Sequence, residues 1–320
     1  MGMLFDRVRE AAAAVAARAR FVRIEEGRLR EFAQGTRDEA AAPPALRPDA
    51  HRLGRGEETL AFVVTLDAIN FGSGWFPHLL KRPGMSGYFT VATSLAERFR
   101  EEGPWSAEDL LALTSRDCAR VFGQEGAPEP IAELMDLFAR ALRDLGAFLR
   151  ERHEGSFARL VESAERRAER LVASLAEMPF FRDVSTYEGL EVPFYKRAQI
   201  TAADLHLAFE GEGWGRFEDL DDLTIFADNL VPHVLRVEGV LAYDPDLARR
   251  IDAGGLLESG SREEVEIRAC AVRAVQLLAS EIASLGRPAT EHALDYFLWN
   301  RGQSPRFKAI PRHRARSVYY

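Results

Sequence analysis

The chain has 320 residues, 47% of them hydrophobic and 29% charged, a globular balance with enough apolar material to bury a substantial core. Fifty Asp and Glu against 42 Lys and Arg give a formal charge of −8, which argues against general affinity for a polyphosphate duplex. The two cysteines, Cys118 and Cys270, lie far apart without CxxC spacing, which argues against a disulfide framework or zinc knuckle and suits a reducing, cytoplasmic setting.

Helical periodicity begins at once: Leu4, Val8, Ala11, Ala12, Val15 and Ala19 recur at spacings of three and four. Asp6 and Glu10 distinguish this segment from a secretory leader, so it is expected to stay with the mature protein. The polar, Pro-rich stretch 40–56 reads as a loop. Helices are predicted over 58–70, 91–101, 107–113 and 116–122, with Ser106 three residues before Asp109 as a capping signal. The longest uncharged stretch, 68–80, contains Gly72, Gly74 and Pro77 and is too short for a membrane span, so none is expected. Ile131, Leu134, Met135, Phe138, Ala141, Leu142, Leu145 and Leu149 mark one face of a long core helix, and another is drawn over 157–177. Residues 183–195, centred on Glu188-Gly189, read as a short β-hairpin. Further helices follow at 195–210, 223–238, 262–285 and 291–301. Asp244-Pro245 and Ser261 with Glu264 mark starts, and Gly35, Gly254, Gly286 and Gly302 mark stops. The predicted class is all-α, with at most one short hairpin: a single domain over 1–320, either one body or two helical lobes with a cleft between them.

No Walker loop, HExxH or GxSxG occurs, and Gly211, Gly213 and Gly215 follow a helical stretch instead of a strand, as in a turn. Seven scattered histidines argue against a metal site. The chemistry therefore falls to carboxylates, amides and rings, and two acids in apolar surroundings stand out. Asp228 lies in LTIFADNLVPHVL, where Pro232, four residues on, deprives the Asp228 carbonyl of its helical donor and predicts a kink. Asp295 lies in HALDYFLWN, where desolvation favours the neutral acid unless a cation or donors compensate. Either form is useful, the protonated as a general acid and the ionised against developing positive charge. Composition alone leaves both aspartates open to a second role, as satisfied core or capping residues. For Lys196 and Arg197 the residue pattern favours a solvated helix start. From 304 to 320, Arg306, Lys308, Arg312, Arg314 and Arg316 occur with no acid, which suits either one phosphate monoester or a tail packed on acidic helices.

At these same residues the sequence resembles the queuosine salvage family of queuosine 5′-phosphate N-glycosylases. The matching stretches, in order, are VTLDAINF (64–71), SGYF (86–89), FRDV (181–184), FYKRAQI (194–200), TIFADNLVPHVL (224–235), REEVEIRAC (262–270), LDYFLW (294–299) and the ending RHRARSVYY. The likeness is weaker over 103–152 and 40–56.

The resemblance implies an all-helical fold similar to the DNA glycosylases and hydrolysis of the N-glycosidic bond of queuosine 5′-monophosphate, releasing queuine. It implies no metal or organic cofactor. The family's catalytic acid falls on Asp295 and its base-binding groups on Phe226 and Asp228, with Tyr296 and Asn300 completing the pocket. Several members carry an acid where Asn300 stands, a departure that bears on one contact to the substrate amine and not on the chemistry. Phe71 and Tyr88 are further candidates for flat surfaces against the base, and Lys196 is a candidate for holding the phosphate or pairing with the acid. The expected partners are the nucleotide and free queuine, with no membrane and no stable nucleic-acid partner. A glycosylase acting on a base within DNA or RNA, and a non-catalytic queuine or nucleotide carrier, are the competing classes; the first lacks the broad basic face it normally uses.

Overall fold

The computed structural model describes residues 3–39 and 45–320; positions 40–44 of the predicted loop lie outside them. Fifteen α-helices occur among the described residues, with strands of two to four residues in three two-stranded sheets. None of these helices is long and apolar enough to cross a membrane. Contacts divide the chain into two compact units, each drawn from separated segments.

The first unit comprises the described part of Met1–Pro44, Asp183–Lys196 and Asp221–Arg316. Its axis is the helix Arg262–Ser284, buried on several faces through Val265, Ile267, Ala269, Ala271, Val275 and Leu278, as a helix surrounded by others must be. Around it lie Met3–Ala16, Glu26–Thr36, Val231–Val237 and Glu291–Arg301. Ser261 caps the axis helix by accepting the Glu264 N–H, as its spacing predicts. The predicted hairpin is present: Val184–Tyr187 pairs antiparallel with Leu190–Pro193 around Glu188 and Gly189, both with positive φ, the geometry a tight turn needs. A second pair, Val22–Ile24 with Leu241–Tyr243, has three residues per strand, too few for a period-two pattern to show in the sequence.

The second unit comprises Ala45–Arg182, Arg197–Leu220 and Ser317–Tyr320. Its longest helix, Ile131–His153, buries the whole predicted face from Ile131 to Leu149. Gly146 allows Ala107–Ala112 to lie close, since a Cβ there would stand 2.7 Å from the Ala107 carbonyl oxygen.

Two predicted helices are corrected. The stretch 157–177 is two helices, Phe157–Glu162 and Ala168–Leu175, broken where Glu165 and Arg166 take left-handed φ of 50° and 60°. The second starts afresh because Asp219, remote in sequence, accepts the N–H groups of Ala168 and Glu169 at 2.6 and 3.1 Å. The stretch 223–238 is helical only over Val231–Val237; residues 223–230 form irregular chain that bends at Asn229 and Leu230. A short run that is apolar on every side does not distinguish helix from buried extended chain, and here the Asp228 side chain competes for the backbone. Pro232 consequently falls in the first helical turn, where its missing N–H leaves no bond unmade, and the predicted kink is absent.

Candidate active site

Asp295 sits in the second turn of Glu291–Arg301, a helix opened by Thr290, whose hydroxyl accepts the Ala293 N–H. Leu294 and Leu298 anchor that helix in the core, fully buried, and carry Asp295 inward to 4% exposure. A carboxylate at that depth requires donors. One is the Phe226 N–H, 2.8 Å from Oδ1, which ties the helix to the irregular segment 223–230. The Phe226 and Tyr296 rings meet edge to face, centroids 5.9 Å apart, so the FAD and LDY motifs form one wall. Asn300 lies one turn beyond Tyr296 on the same helix and is exposed.

Asp228 is half-buried, and its Oδ1 accepts the N–H groups of Leu230 and Val231 at 2.7 and 3.0 Å. This local turn closes the segment before the helix and holds the carboxylate in one orientation. With Oδ1 occupied, Oδ2 offers acceptor capacity to a ligand.

Immediately before Asp228 the chain is held by a residue the sequence did not single out for a role. Arg268 donates Nε–H to the Ala227 carbonyl at 2.9 Å and its two terminal nitrogens to both oxygens of Asp183 at 3.0 and 2.6 Å. Glu264 stands 3.6 Å away on the same helix, and the Phe194 ring lies 3.9 Å under the guanidinium. Asp183 in turn accepts the Lys196 N–H at 3.1 Å, and its carbonyl accepts those of Phe194 and Tyr195. Tyr195 adopts a left-handed φ of 49°, a strained conformation for an aromatic residue at the corner between the hairpin and the next helix. One buried ion pair thus fixes both the FAD segment and the backbone of Lys196. The available signal is Glu264, Glu266 and Arg268 alternating with Val265, Ile267 and Ala269 in the first two turns of the helix. Lys196 and Arg197 are 5% and 1% exposed, which corrects the solvated helix start. Burial of the Arg197 guanidinium is tolerated because acceptors are at hand, the carbonyls of Asp67, Ala68 and Phe180.

Phe71 and Tyr88 belong to the other unit. Phe71 is buried edge-on against Phe138 at 5.1 Å, with the Arg197 guanidinium 5.0 Å from its ring. The Tyr88 hydroxyl lies 3.0 Å from His51 Nε2, while His51 Nδ1 is 2.8 Å from the Arg47 carbonyl. Nδ1 must donate to that carbonyl, so in the neutral imidazole Nε2 accepts and Tyr88 donates. Burial first, then the charges of Asp204 and Asp67, push the Tyr88 hydroxyl well above the usual phenol range and keep its proton in place. Among the described residues no group of three or more His, Cys, Asp and Glu side chains is arranged to hold a metal ion.

Residues 50–320 match the family described as queuosine salvage protein. A protein of Sphaerobacter thermophilus named queuosine 5′-phosphate N-glycosylase/hydrolase is 36% identical over 312 residues, covering 96% of this chain and 95% of its own. A Bos taurus protein of the same name is 32% identical over 336 residues and 98% of both chains. One of Schizosaccharomyces pombe is 34% identical over 303 residues, 85% of this chain and 86% of its own.

Proposed function

Because this chain belongs to the queuosine salvage protein family, we propose that it hydrolyses the N-glycosidic bond of queuosine 5′-monophosphate, releasing queuine and ribose 5-phosphate. The single observation that carries the catalytic assignment is the Asp295 carboxylate, buried and oriented by the Phe226 N–H beside two aromatic rings. As the bond from C1′ to the base breaks, positive charge spreads over the ribose ring, and a nearby carboxylate in a dry site lowers the energy of that state. Water adds to C1′, and the departing base ends with the proton the water gives up. A 7-deazaguanine has carbon where a purine has N7, so protonation at N7 is closed and sugar-charge stabilisation carries more of the rate.

Asp228 suits the guanine-like edge, whose N1–H and exocyclic amine form a donor pair matched to a carboxylate. Phe226 and Tyr296 supply flat apolar surface, worth about 1 to 3 kcal/mol per stacked base in single-strand recognition. Asp228→Asn keeps an oxygen for the Leu230 and Val231 N–H groups but turns a donor toward the base. Queuine affinity by calorimetry should fall by about 1.5 to 3 kcal/mol, the range of a charged hydrogen bond, and unchanged affinity rejects the role.

Incubation with the nucleotide followed by chromatography tests the reaction. Free queuine should appear together with ribose 5-phosphate. Tight nucleotide binding without product makes the chain a carrier, and release of a base only from polymeric substrate makes it a nucleic-acid glycosylase.

A further inference from the structure

The helix that carries Asp295 is tied to the FAD segment at a second point. Arg9, on Met3–Ala16, donates Nε–H to Glu291 Oε1 at 2.7 Å and Nη2–H to the Asp222 carbonyl at 2.8 Å, with the Leu223 carbonyl at 3.5 Å. Glu291 and Asp295 stand one turn apart on Glu291–Arg301, both buried, on a shared face. Asp222 and Leu223 lead directly into Phe226, whose N–H meets Asp295. One guanidinium therefore joins the same two stretches of chain that the Asp295 hydrogen bond joins. Neither Arg9, Asp222 nor Glu291 lies in a stretch that carries the family resemblance.

A single hydrogen bond sets a distance but lets the helix turn about it. A second attachment one turn away removes that freedom, and a planar guanidinium with directed N–H groups sets an angle as well as a separation. The attachment is firmly based. Met3–Ala16 packs on Arg262–Ser284 through Phe5, Val8, Ala12 and Val15, all buried, and presents Arg9 half-buried beside them. The Glu291 carboxylate depends on Arg9: its side chain is 10% exposed, Oε2 is buried without a hydrogen-bond partner, and among the described residues no other cation is paired with it. Burial raises the Glu291 carboxyl above its usual range, and Arg9 opposes that shift by charge and by hydrogen bond. Asp6, 3.5 Å from Arg9 and 50% exposed, is the weaker partner. We propose that Arg9 is a positioning residue for the reaction, fixing the angle of the Asp295 carboxylate to the FAD segment through Glu291 and the Asp222 carbonyl. This assignment rests on the nucleotide hydrolysis proposed above and gives the amino-terminal helix a part in it.

The test measures kcat and KM for queuosine 5′-monophosphate in Arg9→Met, in Arg9→Lys and in Arg9→Met combined with Glu291→Gln. Arg7→Ala is the control: it removes an exposed ion pair with Glu191 from the same helix and should leave kcat within about twofold. Arg9→Met should lower kcat by about 10- to 100-fold with KM within about threefold, and Arg9→Lys should recover part of the loss. The double variant removes the orphaned buried charge without restoring the tie, so it should regain stability but not turnover. A double-variant kcat within about threefold of wild type overturns the assignment. In an Asp295→Asn background Arg9→Met should lower kcat by less than about threefold further, because it acts through that carboxylate, and equal fractional losses in both backgrounds overturn it. Hydrogen exchange reads the tie without turnover: in the double variant the Phe226 amide should exchange at least about tenfold faster, while amides of Arg262–Ser284 change by less than about threefold. Unchanged exchange at Phe226, or equal quickening in both places, also overturns it. Wild-type turnover of the nucleotide reports separately on the reaction itself.

Discussion

Asp295→Asn should lower kcat for base release by about 10²- to 10³-fold, the range seen when one preorganised electrostatic group is removed from a transition state, or about 2.7 to 4 kcal/mol. The substitution isolates charge. An asparagine oxygen can still accept the Phe226 N–H at the position of Oδ1, so the tie between the LDY helix and the FAD segment survives. The cationic sugar exists only on the way to products, so affinity for queuine should stay within about threefold while kcat and kcat/KM fall together. Single-turnover chromatography for kcat and calorimetry for queuine make the comparison. Turnover within a few-fold of wild type would remove Asp295 from the chemistry.

The second large effect concerns the clamp and is one of stability. Arg268→Met leaves Asp183 and Glu264 facing each other's charge with the intervening guanidinium gone, at side-chain exposures of 2% and 1%. Removing one partner of a buried, hydrogen-bonded ion pair typically destabilises by about 3 to 5 kcal/mol, because the remaining charge has lost water and partner alike. Urea unfolding should show that loss as a lower midpoint. The double variant Arg268→Met with Asp183→Asn should recover part of it, since a neutral amide is less costly to bury than a lone carboxylate. A single-variant loss below about 1 kcal/mol would mean that the FAD segment is held by other contacts.

Asp183, in FRDV, and Arg268, in REEVEIRAC, stand in stretches that resemble the family, and the resemblance gives neither a role. The geometry supplies one. Both residues act on the backbone of the site, at Ala227 and at Lys196, so they are positioning residues whose loss is felt first as misplaced neighbours. A displacement of about 1 Å in a reacting group is enough to lower rates by about 10²-fold.

Much was legible in the linear order of residues: the apolar face from Ile131 to Leu149, the Ser106 and Ser261 caps, the Glu188-Gly189 turn, and the two aspartates set in apolar runs. Each depends on neighbours a few positions away, and short-range sterics, capping and periodicity act at that range. Tertiary structure alone decided the rest. Asp219 starts a helix 51 residues earlier at Glu162–Ala168's break, Arg268 meets Asp183 across 85 residues, and Asp295 holds Phe226 across 69. In each case a buried polar group must find a partner once water is excluded, and which partner comes within 3 Å depends on how the elements pack, something no local pattern encodes.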